Sequence, residues 1–199
     1  RRDRWPGRSA RRSRDGGGDG GPQPPHQKLR CRPVGRDAVA RDLPRPGPEL
    51  VEKLGGLHKF MNWPHPILTD SAGFQIYSLA HRNKVTEEGC TFKSHIDGQQ
   101  KFISPEISTQ VQHAFDATIT MAFDECTKKE ISYTAAKKSW ELTYRWAKRS
   151  REAFVKRPGY AQYGIVQGAH YEDLRRESAD RLVEMDFEGY AIGGYLFEE

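Results

Sequence analysis

From about residue 43 onward short apolar runs of strand length alternate with stretches in helical register. "PELVEKLGGLHKFMN" (48–62) opens on Pro48 and is punctuated by Gly55-Gly56, which predicts a helix closed by a glycine cap. "PILTDS" is an apolar run of strand length. In "CTFKSHIDGQQKFIS" (90–104) the Asp97-Gly98 pair between two strand-like segments predicts a hairpin. Ser104-Pro105 then starts a helix, with Ser104 as N-cap and Ile107, Val111 and Phe115 in helical register. Beyond it the alternation is regular: strand 117–125, helix 132–158, strand 161–168, helix 171–187, strand 189–195. In the long helix Ala136, Trp140, Tyr144, Ala147 and Phe154 share one side, and Lys and Arg crowd the other. Strand and helix in turn, with short connections, predict βαβ units and a parallel sheet.

The amino-terminal segment has no such rhythm. Residues 1–42 are rich in Arg, Gly and Pro and hold twelve Lys or Arg against five Asp or Glu. That net of +7 exceeds the chain's +5, so the remaining residues carry −2. The basic pI therefore belongs to the tail and is no argument for nucleic-acid binding by the body. Such a tail buries too little surface to offset its chain entropy and is expected to be disordered. An arginine-rich arm for RNA, a solvated tail, and sequence foreign to the native protein (an out-of-frame translation, for example) are its three readings. No secretory signal and no membrane-length apolar run are visible, and Cys31, Cys90 and Cys126 are odd in number and far apart. A soluble, cytoplasmic protein without a Cys-x-x-Cys metal site is expected.

The candidate chemistry lies where strands end. "PILTD" ends in Asp70, "ITMAFD" in Asp124, "YGIVQ" in Gln167 and "YAIGG" in Gly193-Gly194. In parallel α/β proteins the carboxyl ends of the strands form the functional face. Each residue has a plain structural alternative: an aspartate after a strand serves as a helix N-cap, a glutamine before glycine ends a strand, a glycine pair makes a turn. Together they supply two carboxylates, a carboxamide and an accessible backbone to one rim. A carboxylate accepts two adjacent N–H groups, as on the N1 and amino edge of a guanine-like base, and an amide or backbone N–H donates to that base's carbonyl. Phe74 offers a stacking face. Walker, Gly-x-Gly-x-x-Gly and Gly-x-Ser-x-Gly patterns are missing. His58, His65, His81, His95, His113 and His170 are not spaced as zinc ligands and read as ordinary hydrogen-bonded or surface residues.

At these residues the chain resembles the tRNA-guanine transglycosylases. "GGLHKFMNWPHPILTDSAGFQ", "SHIDG", "MAFDECT", "YGIVQG", "YEDLRRESA" and "FEGYAIGG" look like that family's consecutive signature blocks across about residues 45–195. The resemblance implies a (β/α)8 TIM barrel with a zinc-binding insertion, of which residues 43–199 would be about half. It implies exchange of guanine at the wobble position of a tRNA anticodon for a 7-deazaguanine in queuosine biosynthesis, through a covalent enzyme–RNA intermediate. Asp70 resembles the family's proton acceptor. Asp124 and Gln167 resemble residues that bond the base, Gly194 the one offering its backbone, and Asp70, Ser71, Ala72, Gly73 and Phe74 the loop lining the pocket. Cys126 in "FDEC" resembles the bacterial branch, which uses 7-aminomethyl-7-deazaguanine. A homodimer is also implied.

Ala72 and Ala169 stand where the family usually has glycine, and "YLFEE" after Gly194 departs from its pattern. The family's nucleophilic aspartate and its zinc site of three cysteines and a histidine fall beyond Glu199, so no metal ligand is expected in this chain. Two readings of function follow. One is an enzyme, of which this chain is a piece. The other is a truncated, inactive paralogue that keeps only a guanine-binding pocket.

Overall fold

The computed structural model describes residues 32–33, 47–73, 83–94, 98–128 and 130–194. Five parallel strands form the main sheet: β1 (Arg32–Pro33), β2 (Ile67–Leu68), β6 (Ile119–Met121), β7 (Ala161–Val166) and β8 (Gly189–Ile192), in that spatial order. A second, antiparallel sheet joins β3 (Asn83–Val85), β4 (Cys90–Lys93) and β5 (Gln100–Ile103). The parallel strands follow chain order without reversal. A doubly wound sheet reverses at a switch point; a barrel does not. The mixed α/β fold with its one-directional parallel sheet is thus compatible with part of a barrel. Arg32–Pro33 lies within residues 1–42, the segment read as a disordered tail; the rest of that segment is outside the described residues, as are 43–46.

The helices are α1 (Pro48–Lys53), α2 (Gly56–Phe60), α3 (Pro105–Ala114), α4 (Tyr133–Ala153) and α5 (Glu172–Val183). Ser104 caps α3, its hydroxyl accepting from the Ile107 N–H at 3.3 Å, with Pro105 in the first turn. Ser132 does the same for α4 from Ala135. The segment 48–62 departs from its pattern. Gly55-Gly56 separates two short helices, because the Leu57 N–H donates to the Phe115 carbonyl at 2.8 Å instead of continuing the first helix. The hairpin pairs Cys90 with Ile103 and Lys93 with Gln100, although Asp97 itself lies outside the described residues.

The α4 stripe is wider than its apolar pattern predicts. Ala136, Trp140 and Ala147 are buried, but so are Ser139, Thr143, Trp146 and Ser150, while Tyr144 and Phe154 are only partly covered. Trp146 joins Ile67, Cys90, Phe92, Ile103, Phe115 and Phe123 in the principal core, which fills the space between the two sheets, α3 and α4.

One polar side chain shapes the rim. Gln112 on α3 is fully buried. Its Nε2 donates to the Met121 carbonyl at 2.9 Å, and its Oε1 accepts from the Met121 N–H at 2.8 Å and the Thr69 hydroxyl at 3.0 Å. The last backbone bond between β2 and β6 is Thr69 N–H to the Ile119 carbonyl at 3.0 Å. Past it the Gln112 amide takes the place of the next ladder pair. The two strands therefore separate just before Asp70 and Asp124, with both backbone groups of Met121 satisfied by the Gln112 amide.

Candidate functional site

Asp124 is the centre of the strand-end cluster. It follows β6, is 7 % exposed, and accepts two hydrogen bonds from neutral donors. The Ser71 hydroxyl donates to Oδ1 at 3.0 Å, and the Gln167 Nε2 donates to Oδ2 at 2.7 Å. Burial pushes its carboxyl up to about 6, and the nearby charge of Asp70 adds to the rise; the bonds from Gln167 and Ser71 oppose it.

The turn after β2 is fixed from both sides. The Asp70 Oδ1, at the end of that strand, accepts the Ser71 N–H at 2.7 Å. The Ser71 hydroxyl also accepts from the Gly73 N–H at 3.2 Å, and the Ser71 carbonyl accepts from the buried Ser108 hydroxyl at 2.7 Å. Gly73 is obligatory by contact: a Cβ there would lie 2.4 Å from the Asp124 Oδ1 and 2.5 Å from its carbonyl oxygen. Ala72 is fully buried at φ +83° and Ala169 sits at φ +50°. Both residues that replace the glycines expected from the family resemblance thus occupy left-handed backbone, at a cost of about 1–2 kcal/mol each.

Gln167 closes the other side. Its N–H donates to the buried Ser178 hydroxyl at 3.1 Å. Gly194 has φ +72°, and a Cβ there would stand 2.8 Å from the Gln167 Oε1. That oxygen is buried with no hydrogen-bond partner among the described residues, an acceptor left open beside a glycine turn. The structure therefore brings Asp70, Ser71, Ala72, Gly73, Asp124, Gln167 and Gly194 to one rim. Phe74 lies outside the described residues.

A cavity of about 260 Å³ reaches Asp124 past Gly73, Phe123 and Cys126, with Cys90 and Trp146 among its other walls. Asp70, Gln167 and Gly194 do not line it, so Asp124 joins cavity and polar cluster. The donor set does not suit a zinc ion. Burial pushes the Cys90 and Cys126 thiols up to about 12, and no three potential ligands converge among the described residues. His58 is an ordinary bridging residue, its Nδ1 2.9 Å from the Trp63 carbonyl and its Nε2 3.1 Å from the Thr118 hydroxyl. His81 and His95 are outside the described residues.

Ser108, Gln112, Ser178 and Arg175 support the rim and are not singled out by the sequence pattern. Their only signal is polar residues four apart on helix faces (Ser108 and Gln112) that a solvated surface would equally show. Chemically, the cluster presents one desolvated carboxylate between hydroxyl and amide partners, with a glycine backbone beside it. Such an edge is complementary to a planar heterocycle with adjacent N–H donors and a carbonyl.

Comparison with known proteins agrees with the sequence blocks. Residues 38–199 match the family model described as queuine tRNA-ribosyltransferase. The chain is 61% identical over 155 residues to the queuine tRNA-ribosyltransferase of Rickettsia bellii (strain RML369-C), covering 78% of this chain and 43% of that protein. Proteins of the same name from Rickettsia felis and Rickettsia akari are 61% and 59% identical over the same shares. The chain thus spans less than half the length of these curated relatives. With a family model covering most of its length, and relatives at this identity, the chain belongs to the queuine tRNA-ribosyltransferase family.

Proposed function

We propose that the complete protein exchanges guanine at the wobble position of a tRNA anticodon for a 7-deazaguanine, 7-aminomethyl-7-deazaguanine, in queuosine biosynthesis. The carrying observation is the buried Asp124 carboxylate, held by Ser71 and Gln167 with no cation beside it in its bonding set. Ionised, it accepts the N1–H and amino N–H of the base. Gln167 has a second amide N–H, which with the Gly194 backbone N–H donates to the base carbonyl. Phe74 is proposed to stack on the ring.

Asp70 is proposed as the proton acceptor. It is half-buried and close enough to Asp124 for its charge to raise that group. An ionised carboxylate at this position is placed to take a proton from the incoming base. The exchange divides into two displacements at the ribose carbon, the old base leaving before the new one attacks. The nucleophile for these, and the zinc site, belong in this proposal to the part of the protein outside this chain. The zinc there would be structural, and no step runs through it. A homodimer and a cytoplasmic location complete the proposal; no helix among the described residues is long and apolar enough to cross a membrane.

The test is incorporation of labelled guanine into tRNA by the complete protein and its Asp124→Ala variant. Loss of incorporation and of guanine affinity, with the fold retained, is expected. Unchanged affinity would remove the pocket assignment. Should the wild type bind guanine and incorporate none, the inactive-paralogue reading takes its place.

A further inference from the structure

We propose that Arg175 is a positioning residue that locks the turns after β7 and β8 into one base-binding edge, an inference that rests on the pocket reading above. The two strands are in register through Val166 and Ile192, and their last backbone bond is Gly193 N–H to the Val166 carbonyl at 3.0 Å. Beyond that point the turns Gln167–Ala169 and Gly193–Gly194 diverge. Arg175, in the first turns of α5, spans them: its Nη1 donates to the Ala169 carbonyl at 3.2 Å and to the Gly193 carbonyl at 3.1 Å. Both bonds are charge-assisted, and so about twice as strong as neutral ones.

What this clamp controls is Gln167. A Cβ on Gly193 would lie 2.6 Å from the Gln167 Nε2, so the amide packs directly on the clamped turn. A Cβ on Gly194 would meet the Gln167 Oε1 at 2.8 Å and the Arg175 Nη1 at 3.9 Å, which puts guanidinium, amide and glycine backbone side by side. Gly168 packs equally closely on α5: a Cβ there would stand 2.8 Å from the Arg175 backbone nitrogen. The helix therefore sets both turns, and the Arg175 side chain sets their spacing. Release of the clamp frees Gly193–Gly194 to move away, and with it the surface that holds the Gln167 amide 2.7 Å from Asp124. Arg175 thus acts through Gln167 and Gly194.

The experiment is equilibrium binding of labelled guanine to the full chain as wild type, Arg175→Ala, Arg175→Lys and Asp124→Ala, with melting temperatures measured alongside. Arg175→Ala should weaken guanine about tenfold, Arg175→Lys less, and millimolar guanidinium should restore affinity to Arg175→Ala alone. Wild-type affinity in Arg175→Ala, while Asp124→Ala has lost guanine, would overturn the clamp and leave the pocket standing. Guanidinium that restores the melting temperature of Arg175→Ala but not its affinity would also overturn it, as a purely structural role. If Arg175→Ala does not fold, wild-type affinity in folded Arg175→Lys at every guanidinium concentration overturns it, and a loss there supports it. Unchanged affinity in Asp124→Ala would instead sink the pocket reading itself.

Discussion

Two carboxylates at opposite ends of the parallel sheet, Glu188 and Asp124, have opposite environments. Glu188, just before β8, accepts a fork of two 2.8 Å bonds from Arg151 and the Gln162 N–H at 2.9 Å. The Arg151 guanidinium holds its carboxyl down at about 2. Asp124, just after β6, is more deeply buried, and its side-chain partners are a hydroxyl and an amide. Its carboxyl is pushed up to about 6. Charge with a matched cation secures the amino ends of the strands; charge without one is left at the carboxyl ends. The first arrangement stabilises a fold. The second costs stability and has a rationale only if something with N–H donors comes to complete it.

Breaking the structural end should cause the largest loss of stability. Glu188→Ala leaves Arg151, whose side chain is 12% exposed, without its fork, and should lower stability by about 1.5–3 kcal/mol in urea unfolding. Guanine binding by the folded fraction should be unchanged.

Breaking the functional end should have the opposite sign. Folded Asp124 holds its proton up to about pH 6, whereas unfolded it releases it near 3.8. The folded state binds more protons in that window, so stability falls as pH rises from about 4 through 6. The shift is worth about 3 kcal/mol. Asp124→Asn should remove the fall, raise the melting temperature at pH 7, and abolish guanine binding. A variant less stable than wild type at pH 7 would count against a desolvated carboxylate. Glu188 contributes stability above its usual 4.5, lost as pH drops through 2, so the two groups sharpen the contrast in a single pH series.

Affinity should follow the same proton. If the base needs an ionised Asp124, guanine should bind about tenfold more weakly at pH 5 than at pH 7, by calorimetry. A flat profile would separate binding from this carboxylate.

The smallest expected effect is a gain. Ala72→Gly and Ala169→Gly relieve left-handed backbone at φ +83° and +50°, partly offset by the greater freedom of glycine when unfolded. Each should stabilise by about 0.5–1 kcal/mol in denaturant titration. A loss of stability would mean that the methyl groups contribute packing that outweighs the strain.

The ends of the comparison differ also in how they are written in the sequence. Asp70, Asp124, Gln167 and Gly194 are legible because short apolar runs of strand length point at the residue that follows them, and parallel topology then gathers those residues. The Ser104 and Ser132 caps are legible for a similarly local reason. What supports them is not. Gln112 and Ser108 lie on a helix face whose polarity reads as solvent, and only the third dimension shows that the face meets Met121 and Ser71. Thr143 and Ser150 on α4 are hidden in the same way: their hydroxyls accept the Glu125 and Phe123 N–H groups, bonds no periodicity reveals. The short β3 carries too few residues for an alternation to register. Gly55-Gly56 misleads for a related reason, since the Phe115 carbonyl that breaks the helix there is nearly sixty residues away in sequence.

The most direct test is a carbon-13 NMR titration of the Asp124 carboxyl with and without guanine. A pKa near 6 is expected in the free protein, falling when guanine supplies its N–H donors. An ordinary carboxylate value in the free protein, or one that guanine does not move, would contradict it.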